Sequence, residues 1–558
     1  MAKTNGATLF AEIIQGYGIT HVFYVPQVAS KGLVAMEDMN IRRVVAHSEK
    51  AAAYMADGYA RARGAPGVCM AQPIGASNLA SGLRDAFMAR SPVIAISGGP
   101  AVASRYRHAY QEVEDFSQFD SVTKSNVNVD SPSRLPDLLR QAFRTATSGT
   151  PGPVHLRFQG RGSDVPLGDT DGDALVEPQF TRVPAFRPEP EPQRVTEAAA
   201  ALAKAKKPVI IAGGGVVHSK AQAEVVELAE KLQIPVATSL NGKGTLLDTH
   251  PLSIGVCGTY SRESTNRSVA EADLVFFIGS PAGGMVTGNW TIIAPGAEII
   301  QLDIEPTELG RNYPNKVSLL GDAKVTLRKV IDAAKPAEGT TKAWVGEVQK
   351  LASEWREKTT PNLKSDAVPI RPERICKEIT DWLPADGVLV ADTGHAGMWT
   401  SQMVDLTKPG QRYMRCAGSL GWGLPGALGI KCALPDRPVL CFTGDGGMYY
   451  HMTELETAVR YGINLVVLVN NNRALSQEYP SLKRNYDGNP RGHSDELWRF
   501  GEFSFAKVAE AMGCFGIRVE KPGEIRGALE KAFAAGKPAV VEVMSDVECM
   551  APIAWAPK

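Results

Sequence analysis

The sequence has no run of 18 or more apolar residues, so it contains no candidate for a membrane-spanning helix. Its first residues, Met1 to Gly6, lack the long apolar core of a signal peptide, and we therefore expect a cytoplasmic protein. An excess of charge is also missing, because Lys+Arg and Asp+Glu both number 60 and the formal net charge is +0. This balance argues against nonspecific binding to nucleic acid through a basic surface.

The sequence also has no Cys-x-x-Cys pair and no short repeat. Its eight cysteines are scattered, and several lie in apolar runs. Buried free thiols in a reducing cytoplasm are the expectation for cysteines of this kind.

Apolar residues, by contrast, are plentiful enough for several cores. They make up 44% of 558 residues, a length that usually holds about three or four domains. Residues 161–193 are rich in Asp, Gly and Pro, which neither a helix nor an inner strand sustains. We predict linkers at residues 161–193 and 336–370, and domains at residues 1–160, 194–335 and 371–558.

In each predicted domain, apolar strands alternate with amphipathic helices, which indicates an α/β fold with parallel sheets. The first domain has strands predicted at Val22–Val25, Val44–His47, Val68–Ala71, Val93–Ser97 and Val154–Arg157. The second has them at Val209–Ala212, Val236–Thr238, Leu274–Ile278 and Glu298–Asp303, and the third at Val388–Ala391, Val439–Phe442, Leu465–Val469 and Ala539–Val543. Helices are predicted at Thr8–Gly16, Trp344–Lys358 and Thr453–Val459.

Asp445 and Asn472 are the most informative pair of residues. Each follows an apolar strand, and Asn472 comes 27 positions after Asp445, about the length of a strand–helix–strand crossover. Both side chains should therefore meet at one edge of a parallel sheet, where ligands bind in open α/β folds. A carboxylate and an amide oxygen suit Mg²⁺ shared with a phosphate, and a glycine turn that opens a helix suits the phosphate itself.

The stretch from Gly444 to Asn472 resembles the diphosphate motif of thiamine-diphosphate enzymes, a Gly-Asp-Gly followed by two asparagines after the next strand. This resemblance implies that Asp445, Asn472 and the main-chain carbonyl of Ala474 bind Mg²⁺. It also implies that Gly444, Gly446 and Gly447 form the turn that receives the diphosphate. A chance Gly-Asp-Gly turn is the alternative, but the spacing and the two flanking strands argue against it.

The segment Val45 to Arg61 resembles the activating-glutamate motif of the acetolactate synthase-like group and gives Glu49 the catalytic role. In that group a carboxylic acid paired with the aminopyrimidine lets the amino group of the cofactor act as the base, and a dry site suits such a carboxyl. A glutamate at a helix start is also favoured by the helix dipole alone. The diphosphate motif in the same chain favours the catalytic interpretation.

Further segments match the group in order along the chain. The resemblance places Ile74 and Asn78 beside the pyrimidine ring, Gln111 on the substrate side as a second catalytic candidate, and His395 above the ring. It places Ser419 and Leu420 in the segment whose bulky apolar side chain wedges the cofactor into a bent form. For Leu420, an ordinary core leucine is the alternative.

The resemblance covers nearly the whole chain. It implies three Rossmann-like domains, each a parallel sheet flanked by helices: pyrimidine-binding, central and diphosphate-binding. It implies a lyase or transferase that cleaves or forms a C–C bond beside a carbonyl, by 2-oxo acid decarboxylation or carboligation. It also implies a homodimer or homotetramer with the cofactor between subunits and a small carbonyl compound as substrate.

Two alternatives stay open. A 2-hydroxyacyl-CoA lyase or oxalyl-CoA decarboxylase would take a CoA ester, whose phosphates could bind Lys483, Arg484 and Arg491, although a solvated basic loop is the favoured explanation of these three residues. A flavin-dependent oxidase of the pyruvate oxidase type is the other. FAD or another nucleotide in the central domain is undecided, because Gly213-Gly214-Gly215 alone is a weak nucleotide signal.

The sequence departs from typical acetolactate synthases at the central segment that serves the second 2-oxo acid. Residues 281–288 contain Met285 where that group has an arginine, and a methionine cannot pair with a carboxylate. The tryptophan expected after the asparagine pair is absent, and Tyr24 and Gln27 stand where glycines are usual. We therefore expect an acetolactate synthase-like enzyme with an altered pocket.

Overall fold

The computed structural model describes residues 4–114, 117–160, 162–336 and 340–557. Within them the chain forms three six-stranded sheets, each with parallel neighbouring strands, and one short antiparallel ribbon. The predicted fold class, α/β with three parallel sheets flanked by helices, is confirmed.

The N-terminal unit contains the first sheet. Its strands are β2 (His21–Tyr24), β3 (Arg42–Val45), β4 (Gly67–Ala71), β5 (Val93–Gly99), β6 (Asn126–Val129) and β7 (Val154–Gln159). Its helices are α1 (Gly6–Gly16), α2 (Ser30–Ala35), α3 (Glu49–Arg63), α4 (Ala76–Met88) and α5 (Leu135–Thr147), and β1 (Thr4–Asn5) pairs with β8 (Asp169–Thr170). The strand order in the sheet is β3-β2-β4-β5-β7-β6.

The strands of the central unit are β9 (Pro208–Ala212), β10 (Val236–Thr238), β11 (Ser253–Val256), β12 (Leu274–Ile278), β13 (Glu298–Asp303) and β14 (Val317–Leu320). Their order in the sheet is β11-β10-β9-β12-β13-β14. Its helices are α6 (Pro192–Lys204), α7 (Gly214–Ser219), α8 (Gln222–Leu232), α9 (Glu263–Ala270), α10 (Gly284–Thr287) and α11 (Ala323–Ala333). A long helix, α12 (Thr340–Leu363), leads to the third unit.

The C-terminal unit contains β15 (Val388–Ala391), β16 (Arg412–Arg415), β17 (Val439–Gly444), β18 (Val466–Asn471), β19 (Phe515–Val519) and β20 (Ala539–Met544). Its helices are α13 (Pro372–Trp382), α14 (His395–Met403), α15 (Gly423–Ala433), α16 (Asp445–His451), α17 (Glu454–Tyr461), α18 (Tyr479–Asn485), α19 (Phe505–Ala511) and α20 (Ile525–Ala534). The strand order is β16-β15-β17-β18-β20-β19.

All thirteen predicted strands are present, with ends that differ by at most two residues. The strands that the sequence pattern missed within the three sheets are β6, β11, β14, β16 and β19, and all of them lie at sheet edges. An edge strand such as Arg412–Arg415 has one open side and carries polar residues, so it lacks the continuous apolar run of a strand buried on both faces. The prediction that the strand before Glu49 reaches His47 is wrong, because β3 ends at Val45.

The N-terminal and C-terminal units pack against each other through α3 and α15. The contact is close because glycines face the partner backbone: a Cβ on Gly58 would lie 2.9 Å from the carbonyl carbon of Gly426, and one on Gly429 would lie 2.7 Å from that of Met55. The small residues of α3 are therefore used within one chain. Among the described residues, no helix is both long and apolar enough to cross a bilayer.

Candidate active site

The carboxyl ends of β17 and β18 bring the predicted metal ligands together. Gly444 pairs with Asn470 in the parallel register, so the next residues, Asp445 and Asn472, leave the same edge of the sheet. Asp445 is buried, and its oxygens accept hydrogen bonds from the main-chain N–H groups of Gly446 at 2.8 Å and Ala474 at 2.9 Å. The turn after β18 thus closes on Asp445, as the spacing predicts.

The amide of Asn472 is oriented by its neighbours. Its Nδ2 donates to Ser476 Oγ at 3.0 Å, and Ser476 Oγ lies 2.8 Å from Nδ1 of His395. Because the amide nitrogen is engaged, Oδ1 of Asn472 is the atom left for a cation. Burial lowers the pKa of His395 to about 4, so this imidazole is neutral at pH 7.

The donor set at this edge is oxygen-rich and carries one carboxylate. Burial raises the pKa of Asp445 to about 6, because its charge is removed from water without a cationic partner. Among the described residues, no group of three or more His, Cys, Asp or Glu side chains gathers to hold a metal. One carboxylate, one amide oxygen and one carbonyl match a cation such as Mg²⁺ that completes its coordination with water and phosphate.

Asn471 and Glu542 shape the turn that carries the predicted ligands, and sequence reasoning missed both roles. Asn471 Nδ2 donates to Glu542 Oε1 at 2.8 Å, and its Oδ1 accepts the N–H of Arg473 at 3.1 Å. Arg473 has a left-handed backbone with φ of 56°. The first asparagine of the pair therefore builds the turn, while the second faces the site.

The predicted glycines play unequal parts. A Cβ on Gly444 would meet nothing within 4 Å, so this residue faces open space. A Cβ on Gly446 would lie 3.7 Å from Phe500, and closer to Leu475. One on Gly447 would lie 2.9 Å from Asp392 Oδ2. Gly447 is thus required for packing, whereas Gly444 leaves room for a ligand.

Glu49 opens α3 in the N-terminal unit, after the N-cap Ser48. Its side chain is buried, and its Oε2 accepts a hydrogen bond from Asn78 Nδ2 at 3.1 Å. A Cβ on Gly75 would lie 2.7 Å from Glu49 Cδ, so the glycine, at the N-cap of α4, allows the start of that helix to approach the carboxyl group. The structure therefore joins Glu49 to the predicted Asn78, while Ile74 beside them is exposed.

Within one chain, Lys50, the residue after Glu49, comes close to the opposite end of α16 from Asp445. Lys50 Nζ is 5.8 Å from the Tyr450 ring, near the end of α16, whereas Asp445 begins that helix. Among the described residues, no hydrogen bond joins Glu49 to a residue of the C-terminal unit. Gln111 lies farther along the N-terminal unit, in the loop after β5, with a left-handed φ of 61°.

The loop of residues 416–422, between β16 and α15, carries the predicted Ser419 and Leu420. It is held by two buried carboxylates that the sequence did not reveal. Asp85 of α4 accepts the N–H groups of residues 417, 418 and 419, and Asp392, at the end of β15, accepts those of residues 421 and 423. Leu420 lies between the two sets of hydrogen bonds and is half-buried.

A cavity of about 820 Å³ opens where the three units meet. Its lining includes Gly214, Asn241, Gly283, Met285, Asp303 and Arg415. Burial raises the pKa of Asp303 to about 6. The half-exposed Met285 contributes an apolar wall at the position where the sequence departs from the resembled group.

Comparison with known proteins agrees with this geometry. Residues 4–119 match the model described as thiamine pyrophosphate enzyme, N-terminal TPP binding domain. Residues 195–330 match the central domain of the same family, and residues 392–543 match its C-terminal TPP binding domain.

Similar proteins extend along almost the full chain. A probable acetolactate synthase large subunit of Methanocaldococcus jannaschii is 32% identical over 97% of this chain and 92% of the relative. An acetolactate synthase of Arthrospira platensis is 31% identical over 98% of this chain and 95% of that protein. The acetolactate synthase large subunit of Corynebacterium glutamicum is 31% identical over 88% of this chain and 78% of that subunit.

The chain belongs to the thiamine pyrophosphate enzyme family. Within that family it is an acetolactate synthase-like, thiamine-diphosphate-dependent enzyme of C–C bond chemistry. The predictions of family, enzyme class and thiamine diphosphate as cofactor are confirmed. The assignment of individual site residues stays a prediction, which the geometry above makes specific.

Proposed function

We propose that the enzyme decarboxylates a 2-oxo acid and transfers the remaining acyl unit to a second carbonyl compound. The observation that carries the proposal is the meeting of Asp445, Asn472 and Ala474 at one sheet edge, in a chain that also buries Glu49 at the start of α3 against the turn of Gly75. Bound thiamine diphosphate supplies the carbon nucleophile that adds to the substrate carbonyl. The protein supplies binding, orientation and control of protons.

The residues at the C-terminal edge fit the diphosphate and its metal. Asp445, Oδ1 of Asn472 and the carbonyl of Ala474 would hold Mg²⁺, and Gly444 leaves open space for phosphate oxygens. Oδ1 of the neighbouring Asn470 is buried and has no hydrogen-bond partner among the described residues. A buried unsatisfied acceptor at this edge is expected where water or a ligand completes the site.

The residues of the N-terminal unit fit the pyrimidine end. Glu49 would hold the ring and exchange a proton at its carboxyl oxygens, and Asn78 orients that carboxyl through its amide. Leu420, fixed between two clamped segments of its loop, would press on the cofactor. His395, neutral at pH 7, would offer a ring nitrogen near the substrate without adding positive charge. Gln111 would face the substrate from the loop after β5.

A homodimer, or a homotetramer built from such dimers, belongs to the proposal. Ile74 and Tyr450, which flank the start of α3, are 53% and 58% exposed. Large apolar side chains beside a buried carboxylate are expected where a second subunit covers them. One chain would then give Glu49 and its partner would give Asp445 to the same site.

The altered pocket also remains a proposal. Met285 lines the central cavity and offers no positive charge to a second 2-oxo acid. The relatives give this departure no support, because those reported above carry the acetolactate synthase name. A different preference for the acceptor carbonyl compound is therefore the specific expectation at Met285.

We also propose that the central cavity, of about 820 Å³, takes a nucleotide such as FAD or ADP. Arg415 and Asn241 line it, and neither Nε of Arg415 nor Oδ1 of Asn241 has a hydrogen-bond partner among the described residues. The absorption spectrum of the purified protein tests for bound flavin, and calorimetry with FAD and ADP separates the two.

A cytoplasmic location remains part of the proposal, supported by eight buried, free cysteines.

A substrate screen tests the proposed activity. Purified protein with thiamine diphosphate and Mg²⁺ is incubated with pyruvate and other 2-oxo acids, alone and in pairs with aldehydes, and separately with oxalyl-CoA and with a 2-hydroxyacyl-CoA. CO₂ release together with a coupled hydroxy-ketone product supports the proposal. CO₂ release only from oxalyl-CoA, or cleavage of a 2-hydroxyacyl-CoA, would replace it with the CoA-ester alternative. Oxygen consumption with peroxide formation would replace it with the oxidase alternative.

A further inference from the structure

Asp85 makes an unusual set of contacts across the two cofactor-binding units. It lies on α4 of the N-terminal unit and is 1% exposed. Its Oδ1 accepts the N–H of Ala417 at 2.7 Å, and its Oδ2 accepts those of Gly418 at 3.0 Å and Ser419 at 2.8 Å. One carboxylate thus satisfies three consecutive main-chain donors of the C-terminal unit.

These donors need an acceptor from outside their own segment. Residues 416–422 lie between β16 and α15, so strand and helix hydrogen bonds do not satisfy the N–H groups of residues 417–419. A main-chain N–H buried without an acceptor costs free energy comparable to a lost hydrogen bond. The position of the loop therefore depends on the carboxylate of Asp85.

The far side of the loop is fixed from within its own unit. Asp392 accepts the N–H of Gly421 at 3.1 Å and that of Gly423 at 3.0 Å, and it also accepts that of Thr393 at 2.7 Å. The main chain is consequently held on both sides of Leu420, by one carboxylate from each unit. Moving either anchor would move the Leu420 side chain.

We propose that Asp85 is a positioning residue, which acts through the 417–419 main chain to set Leu420 against the cofactor. The inference rests on the proposed function of the site, but the clamp itself is a property of the protein without ligands. Through Asp85, the N-terminal unit would help to position the cofactor-facing loop of the C-terminal unit of the same chain.

Asp85→Asn tests the clamp because an amide offers one accepting oxygen and a nitrogen that only donates. At least one of the three N–H groups then loses its acceptor. We expect faster hydrogen exchange in the peptide spanning residues 416–420 in the ligand-free protein, while the β15 and β17 peptides stay protected. Unchanged exchange in that peptide would overturn the clamp. If this variant does not fold, Asp85→Glu keeps the charge and displaces the acceptor by one methylene.

A double-mutant cycle tests the route through Leu420. With saturating thiamine diphosphate and Mg²⁺, we expect Asp85→Asn to lower kcat by about tenfold or more, up to ~10²-fold. In the Leu420→Ala background the same change should lower kcat by less than about twofold, since the residue being positioned is already gone. Equal factors in both backgrounds would show that Asp85 does not act through Leu420.

Asp248→Asn is the matched control. Asp248 is also a buried carboxylate, and its Oδ2 accepts the N–H of Leu406 across a unit boundary at 2.9 Å, away from the loop. Asp248→Asn should lower the stability of the protein but leave hydrogen exchange in the 416–420 peptide unchanged. Any effect of Asp248→Asn on kcat should be the same in the wild-type and Leu420→Ala backgrounds. If the wild-type protein fails to bind thiamine diphosphate, the proposed function fails, and exchange in the ligand-free protein still decides whether Asp85 holds the loop.

Discussion

Oε1 of Glu454 accepts a hydrogen bond from the main-chain N–H of His47 at 3.0 Å. Glu454 begins α17 in the C-terminal unit and is fully buried, and His47 precedes Ser48 and Glu49 in the N-terminal unit. The contact therefore anchors the start of α3 to the other unit of the same chain. It is the counterpart of Asp85, which anchors a loop of the C-terminal unit to the N-terminal unit.

Replacing Glu454 should disturb Glu49, although no hydrogen bond joins these two residues. Glu454→Ala leaves the N–H of His47 without an acceptor, at a cost of about 1–3 kcal/mol in the free energy of unfolding, and we expect kcat to fall as well because the helix start is released. Glu454→Gln keeps an accepting oxygen and should be milder in both. Urea unfolding and turnover measure the two effects. Wild-type kcat in the alanine variant would show that Glu49 is positioned without this contact.

Glu49→Gln should preserve cofactor binding and lower turnover by ~10²–10⁴-fold, because an amide holds a hydrogen bond but does not exchange the proton. Calorimetry with thiamine diphosphate and steady-state kinetics measure the two separately. Glu12→Gln, on the exposed face of α1, is the control and should match the wild type. Turnover near the wild-type level in Glu49→Gln would remove Glu49 from the mechanism.

Asp445→Ala should lose Mg²⁺ and thiamine diphosphate together, because the metal joins protein oxygens to the diphosphate. Removal of metal from the wild-type protein with EDTA should likewise weaken cofactor binding, and added Mg²⁺ should restore it only in the wild type. Asp436→Asn, at an exposed carboxylate, is the control. Unchanged cofactor affinity in Asp445→Ala would contradict the assignment.

Mixing the inactive variants Glu49→Gln and Asp445→Ala should restore part of the activity. If each site takes Glu49 from one chain and Asp445 from the other, a mixed dimer contains one intact site. Light scattering gives the oligomeric state, and differently tagged subunits confirm the exchange. No recovery after proven exchange would place both residues of a site in one chain.

The stability of the protein should depend on the ionisation of Asp303. Burial raises its pKa from 3.8 to about 6. The protonated form therefore stabilises the fold below pH 3.8, and this contribution is lost as pH rises through about 6. As pH rises from 3.8 to about 6, Asp303→Asn should become more stable than the wild type. The difference in the free energy of unfolding, measured with urea, should reach about 3 kcal/mol at pH 8.

Asp137 serves as a comparison for Asp303, because its pKa is shifted in the opposite direction. Hydrogen bonding from Arg140 holds the pKa of the Asp137 carboxyl below its usual value. Its contribution is present above the unfolded pKa, so Asp137→Asn should lose stability relative to the wild type at pH 8. These predictions would be contradicted if Asp137→Asn were more stable than the wild type at pH 8, or if Asp303→Asn were not.

The inner strands of the three sheets were predictable, whereas five of the six edge strands were not. Strands such as Leu274–Ile278 are buried along their whole length, so their sequences are continuously apolar. Edge strands such as Asn126–Val129 and Phe515–Val519 are partly exposed, and their composition does not separate them from loops. Their pairing is decided by the neighbouring strand after folding.

Some residues of the candidate site were likewise predictable from the sequence, and others were not. Asp445 and Asn472 were predictable because one crossover joins them, and Glu49 because its segment resembles a known motif. Asp85, Glu454 and Glu542 carry no local signal, since each accepts hydrogen bonds from partners more than 30 positions away. A buried carboxylate of this kind looks in sequence like any acidic residue on a helix or strand.

By itself, the sequence determined the fold class, the order of the inner strands along the chain and the edge of the third sheet at which Asp445 and Asn472 meet, because apolar runs and one crossover spacing encode them locally. Only the tertiary structure decided how the N-terminal and C-terminal units pack against each other. Glycine contacts bring α3 against α15, and Asp85 and Glu454 then reach main-chain donors of the opposite unit. That arrangement depends on distances between remote parts of the chain, which local sequence pattern does not contain.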